Sequence, residues 1–219
     1  MLKLYAHPFS SYSWKVLIAL YERKIAFEYH VLDPDHPDNF STLRRHWPIG
    51  KFPLLVESGR PVLESSIIIE TLDDDRFGDG PKLIPADAAA ALNVRFMDRV
   101  FDNYVMSRMQ AVVEEYIFHR DVLDTDRIAR VTAALDTVYD WLEERLPEEG
   151  WAVGEGFTMA DCAAAPSLFY ADWVHEIGAG RPRLHAYRAR LLARPSVRRC
   201  VEDARPYRGY FPPGAPDRD

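Results

Sequence analysis

Strand and helix patterns alternate only at the start of this chain, and that asymmetry restricts the folds open to it. Leu2 to Ala6 is a short apolar run, and Ser11 to Arg23 follows with helical spacing through Trp14, Leu17, Ile18 and Tyr21. Phe27, Tyr29 and Val31 then alternate with Glu28 and His30, the period of a strand. A strand, a helix and a second strand in that order make a right-handed crossover, so the two strands run parallel. The polar, proline-broken stretch from Asp33 to Asn39 leads into a short helix near Phe40 to His46. Pro53 to Glu57 and Pro61 to Glu64 flank Ser58-Gly59-Arg60, a hairpin that adds antiparallel strands. Ser65 opens a helix carrying Ile67, Ile68, Ile69 and Leu72. Together these segments require a small mixed sheet covered by helices.

No convincing strand follows. Asp87 to Val113 reads as one long helix, Thr125 to Leu146 as a second, and Thr158 to Ile177 as a third, broken or bent at Pro166. Shorter helices are expected at Pro182 to Leu192 and Ser196 to Asp203. Asp73 to Pro85, with its acids, two glycines and two prolines, is interdomain in character. The expected organisation is an α/β thioredoxin-like domain with a mixed four-stranded sheet at 1–78, a linker at 79–85, an all-α helical bundle at 86–204 and a coil tail at 205–219. A chain of 219 residues with 47% hydrophobic content can bury a core in each half.

Charge and cysteine usage narrow the chemistry. The 34 acidic residues outnumber the 27 basic ones, for a net charge of −7, which argues against the basic face a general nucleic-acid binder needs. Cys162 and Cys200 are far apart and lack Cys or His at ligand spacing, so neither a metal site nor a disulfide framework is expected. No apolar run approaches the ~20 residues of a membrane span. Met1 to Tyr5 enters a strand at once without a signal-peptide pattern, which fits a reduced, cytoplasmic setting.

Ser10-Ser11-Tyr12-Ser13-Trp14 lies between the first strand and the first helix. A hydroxyl there sits where a helix presents unpaired N–H groups and the positive end of its dipole, a place that favours an anion such as a thiolate. The same serines also serve as ordinary helix caps. Thr158 and Asp161 form a capping-box pattern flanked by Phe157 and Cys162, a folding signal rather than a catalytic one. Gly154-Glu155-Gly156 and Gly178-Ala179-Gly180 lack the strand and helix a nucleotide loop requires, and no nucleophile elbow is present.

Three segments, taken together, resemble the cytosolic glutathione transferase superfamily over nearly the whole chain. Tyr5 to Val16 is similar to the active-site segment of the Ser-type zeta, theta and delta classes. It is nearest to zeta and theta-like bacterial members, but Tyr12 stands where zeta has a cysteine, a departure from the pattern of the zeta isomerases. Lys51-Phe52-Pro53 resembles the family segment before the third strand, whose proline is cis, and Glu64-Ser65 resembles the pair that grips the γ-glutamyl end of glutathione.

The resemblance implies glutathione as co-substrate, no metal, a homodimer, and attack of the glutathione thiolate on a small hydrophobic electrophile by conjugation or by addition leading to isomerisation. It puts thiol activation on Ser10 or Ser11, with Tyr12 as a rival hydroxyl and Tyr5 more in keeping with a core aromatic. Lys51 would take the glycine carboxylate, and the Phe52 backbone before Pro53 would pair with the cysteinyl residue. Glu64 would take the α-ammonium group and Ser65 the γ-glutamyl carboxylate. Arg44, Arg45 and His46 make the surrounding segment locally basic. Phe9, Tyr104, Arg108 and Met109 are expected, by position alone, around the second substrate. A non-catalytic relative that keeps the fold as a binding or assembly module is the competing expectation. A thiol oxidoreductase is disfavoured, because Ser10 stands where those relatives place cysteine and a hydroxyl forms no mixed disulfide.

Overall fold

The computed structural model describes residues 1–219. Its first part runs β1 (Leu2–Ala6), α1 (Ser11–Glu22), β2 (Phe27–Val31), α2 (Pro37–His46), β3 (Leu54–Glu57), β4 (Arg60–Val62) and α3 (Ser65–Leu72). The sheet order is β2-β1-β3-β4, with β1 parallel to β2 and antiparallel to β3. Tyr5 sits opposite Leu54, and Leu55 sits opposite Val62. That register brings the end of β1, the start of β3 and the end of β4 to one edge of the sheet. Three connections therefore meet there: residues 7–10, 51–53 and 63–65.

The second part is helical: α4 (Ala88–Val100), α5 (Ser107–Phe118), α6 (Thr125–Arg145), α7 (Met159–Val174), α8 (Pro182–Ala193) and α9 (Pro195–Ala204). No helix is long and apolar enough to cross a membrane. The expected long helix from Asp87 is α4 and α5 joined through a π-helical stretch at Phe101–Met106, and it runs on to Phe118. Pro166 does not break α7, which continues from Met159 to Val174. A proline inside a helix costs about 3 kcal/mol. Here every residue from Met159 to Trp173 is buried, and that packing holds the helix together. The tail is not plain coil either. A 3-10 helix covers Arg205–Tyr210, Phe211 is buried, and Arg218 donates to Asp172 while Asp219 pairs with Arg205. Ion pairs between segments far apart in the chain leave no local pattern, which is why the sequence reads as coil.

The strand period divides the core. Leu2, Leu4, Ala6 and Leu55 join a large apolar cluster that includes residues of α1, α3, α4, α5 and α7. Tyr5, Leu54 and Val56 point to the other face, where they meet Leu32 and Leu43 in a small second core. Tyr5 stacks on His30 there, at 4.5 Å between ring centroids. Trp14 is the main junction between the two parts. It is fully buried against Phe169 and Tyr170 of α7, at 4.9 and 5.2 Å. Its Nε1–H donates to the Pro8 carbonyl at 2.6 Å, so one side chain ties the β1–α1 turn to the helical bundle.

A buried ionic cluster closes the seam beside it. The Lys15 ammonium contacts Asp98 at 2.6 Å, Asp102 at 2.7 Å and the Ser66 hydroxyl at 2.8 Å, with none of its side chain exposed. Arg99 contacts both aspartates from the solvent side. Burial pushes the Asp102 carboxyl above its ordinary range, and the nearby lysine only partly offsets this. Such a cluster contributes little net stability while complete but is costly to break.

Candidate active site

Local hydrogen bonds fix the turn after β1. Ser10 has extended backbone and caps α1, its Oγ accepting the Ser13 N–H at 3.3 Å. That leaves the hydroxyl proton of Ser10 available to another acceptor. The Phe9 N–H donates to Nδ1 of His7 at 3.0 Å, which places the ring proton of neutral His7 on Nε2. Burial lowers the His7 pKa from its ordinary value, so the neutral ring is favoured. The Tyr170 hydroxyl of α7 donates to the Phe9 carbonyl at 3.1 Å, a second tie from the bundle to this turn.

The other two connections lie beside it. The Phe52–Pro53 bond is cis. Neither the N–H nor the C=O of Phe52 enters the turn, loop or side-chain hydrogen bonds of the chain. Glu64 has φ of +67°, a left-handed conformation that non-glycine residues adopt rarely. It turns the chain sharply from β4 into α3, leaving Glu64 exposed and the following Ser65 buried. Ser66 is the residue held by Lys15 and Asp98, so the ionic cluster anchors this corner from behind.

A cleft of about 470 Å³ opens between the sheet edge and the bundle. The sheet side contributes His7, Phe9, Ser10, Ser11, Tyr12, Lys51 and Phe52. Helix α5 contributes Met109, Gln110, Val113, Glu114, Ile117 and Phe118, α7 contributes Tyr170, and the tail adds Tyr210, Phe211 and Pro212. A small hydroxyl-bearing wall thus faces a larger apolar and aromatic one. The Tyr12 phenol is pushed up to about 12, by burial first and the Asp102 charge next, so it stays protonated. Ser11 is buried at the first position of α1, and Ser10 is half-buried.

Of the residues expected from sequence, Phe9, Ser10, Ser11, Tyr12, Lys51, Phe52 and Met109 meet in this one cleft. Pro53 is buried behind Phe52. Glu64 and Ser65 form the adjoining corner and do not line the cleft, although the Glu64 charge is felt at the Tyr12 phenol. Arg44 lines a separate hollow on α2 with Asp33, Pro37 and Phe40. Tyr104 and Arg108 do not belong to the cleft; both are exposed, Tyr104 by 54%. The π-helical stretch, with its wider turn, shifts the phase of the helix, so the cleft face of α5 begins at Met109 and repeats at Val113 and Ile117. His7, the rest of the α5 face, Tyr170 and the tail residues lie outside the sequence-based expectation. Helical spacing from Met109 could have found Val113, Glu114 and Ile117; nothing local marks Tyr210 to Pro212.

Family models match both parts of the chain. The one described as Glutathione S-transferase, N-terminal domain, matches residues 4–80, and that for the C-terminal domain matches residues 125–190. A glutathione S-transferase from Methylobacterium radiotolerans, solved in complex with glutathione sulfonate, is 30% identical, with a TM-score of 0.76 over 91% of this chain and 94% of that one. One from Methylobacillus flagellatus with glutathione bound is 25% identical, with a TM-score of 0.80 over 91% and 98%. Glutathione S-transferase F6 of Arabidopsis thaliana is 27% identical over 91% of this chain and 99% of its own length.

Proposed function

This chain belongs to the glutathione S-transferase family, and from that premise we propose that it binds glutathione along the sheet edge and aims the sulfur at an apolar electrophile in the cleft. The observation that carries the reading is the register of the sheet, which brings the connections 7–10, 51–53 and 63–65 to one edge. In this reading Ser65 and Glu64 take the γ-glutamyl end. The unengaged Phe52 backbone pairs with the cysteinyl residue in the manner of an added strand. Lys51, exposed on the cleft, takes the glycine carboxylate.

Ser10 activates the thiol by donating its free hydroxyl proton to the thiolate, with Ser11 next along the turn. Tyr12 contributes only as a protonated donor. This makes the chain a Ser-type member with zeta or theta-like character. In the reaction, sulfur supplies the electron pair of the new S–C bond. The displaced group leaves with its own pair or, in addition to a double bond, the neighbouring carbon takes up a proton. Lowering a thiol from about 8.5 to about 6.5 raises the thiolate fraction at neutral pH roughly 25-fold. Lower basicity takes back about eightfold through weaker nucleophilicity. Most of any larger acceleration comes from holding the two reactants together, the task of the apolar wall.

A homodimer accompanies this reading. Ile67 on α3 and Leu92 and Phe96 on α4 are large apolar side chains more than half exposed, and Arg95 bridges the two helices to Glu70. Steady-state rates on a panel of electrophiles, for wild type and Ser10→Ala across pH, test the reading. The expected result is lower turnover for the variant and a pH profile displaced upward. Equal rates and profiles would remove Ser10 from the chemistry, and wild type that neither turns over nor binds glutathione would leave a binding or assembly module.

A further inference from the structure

The wall formed by α5 carries a feature that thiol activation does not use. Met109, Val113, Ile117 and Phe118 make it apolar, yet Gln110 and Glu114, one turn apart, lie in the same face. Both are half-buried, and neither side chain makes a hydrogen bond or ion pair within the chain. The neighbouring Glu115 is a contrast. It is buried and fully engaged, accepting from Arg127 and the Asp124 N–H and contacting His119. Glu114 is the only acid on the cleft, and the only basic residues there, His7 and Lys51, belong to the sheet side.

The same cleft also has an aromatic part. Phe9, Tyr170 and Phe211 come from the turn, α7 and the tail, with ring centroids 5.5 to 6.2 Å apart. Phe9 meets each of the other two edge to face, and Phe211 is buried. Such a cluster receives a planar ring well. A ligand filling the cleft would strip water from Glu114, and a carboxylate losing water without a partner is costly. The cost disappears if the ligand itself carries an N–H or O–H that reaches the carboxylate, and it grows if the ligand carries a negative charge.

We propose that the electrophile is an aromatic compound bearing an amine or hydroxyl donor remote from the carbon that sulfur attacks, and that Glu114, assisted by Gln110, selects it. The inference rests on the glutathione-binding reading. Its test uses stable conjugates and therefore needs no turnover: S-benzylglutathiones carrying a para aminomethyl, methyl or carboxyl group, titrated calorimetrically into wild type and Glu114→Gln. Wild type is expected to bind the amine over the carboxylate by roughly tenfold or more, the size of one charge-assisted hydrogen bond. In Glu114→Gln that preference is expected to collapse toward unity. If all three compounds bind wild type equally, Glu114 is no selector and the glutathione site stands. A preference for the amine that persists unchanged in Glu114→Gln also overturns the proposal. If none binds, the glutathione reading falls and takes this one with it.

Discussion

The two walls of the cleft are built on different physical terms. The sheet-side wall is backbone geometry: strand register, a capped turn and a left-handed corner at Glu64, locked from behind by a buried lysine between two aspartates. The bundle-side wall is side-chain surface, a helix face and a tail whose shape depends on which residues protrude. Backbone geometry tolerates changes of side chain and suits a constant ligand. Side-chain surface changes with each substitution and suits a ligand that differs from one protein to the next. In the proposed function glutathione occupies the first wall and the electrophile the second.

The largest expected effect attacks the lock behind the first wall. Lys15→Met leaves Asp98 and Asp102 buried with only Arg99 between them and solvent. Breaking a buried ion pair from one side costs about 3–5 kcal/mol, and the remaining arginine puts this case near the lower figure. Urea unfolding should show that loss, and glutathione affinity should fall with it because Ser66, next to Ser65, loses one of its anchors and keeps only Asp98 and Arg99. A variant as stable as wild type would mean that the cluster does not hold the corner.

A smaller effect is expected from the second wall. Phe211→Ala removes a buried ring that contacts Phe9, Tyr170 and Trp173. Truncating a core phenylalanine costs about 3–5 kcal/mol, and less where water can enter, as beside this cleft. The distinguishing readout is kinetic: KM for the electrophile should rise severalfold while KM for glutathione stays within about twofold. Parallel loss of both would show that the walls are not separate in function.

The same contrast explains what was legible in the sequence. The sheet edge was legible because strand alternation, the Ser58-Gly59 hairpin and the serines opening α1 are local signals. Those signals point to Ser10, whereas Lys51 and Phe52 follow only from the resemblance of Lys51-Phe52-Pro53 to a family segment; all three line one cleft. The helical wall was half legible. Position alone pointed to Met109, which lines the cleft, but also to Tyr104 and Arg108, which do not; past the π-helical stretch the cleft face runs from Met109 to Val113. The tail was not legible. Phe211 reaches the cleft because Arg218, Arg205 and Asp219 pin the chain end through ion pairs across long separations, which no periodicity records. Lys15 was equally silent: it sits between Trp14 and Val16 as a single charge, and its acidic partners lie beyond the linker.

The proposed function stands on glutathione binding at the sheet edge and on ionisation of its thiol through Ser10. Titrating the ultraviolet absorbance of the thiolate of bound glutathione against pH, in wild type and Ser10→Ala, addresses it directly. The bound thiol is expected to ionise below the free tripeptide in wild type and to return toward the free value in the variant. Ionisation at the free value in wild type, or an identical curve in Ser10→Ala, would contradict it.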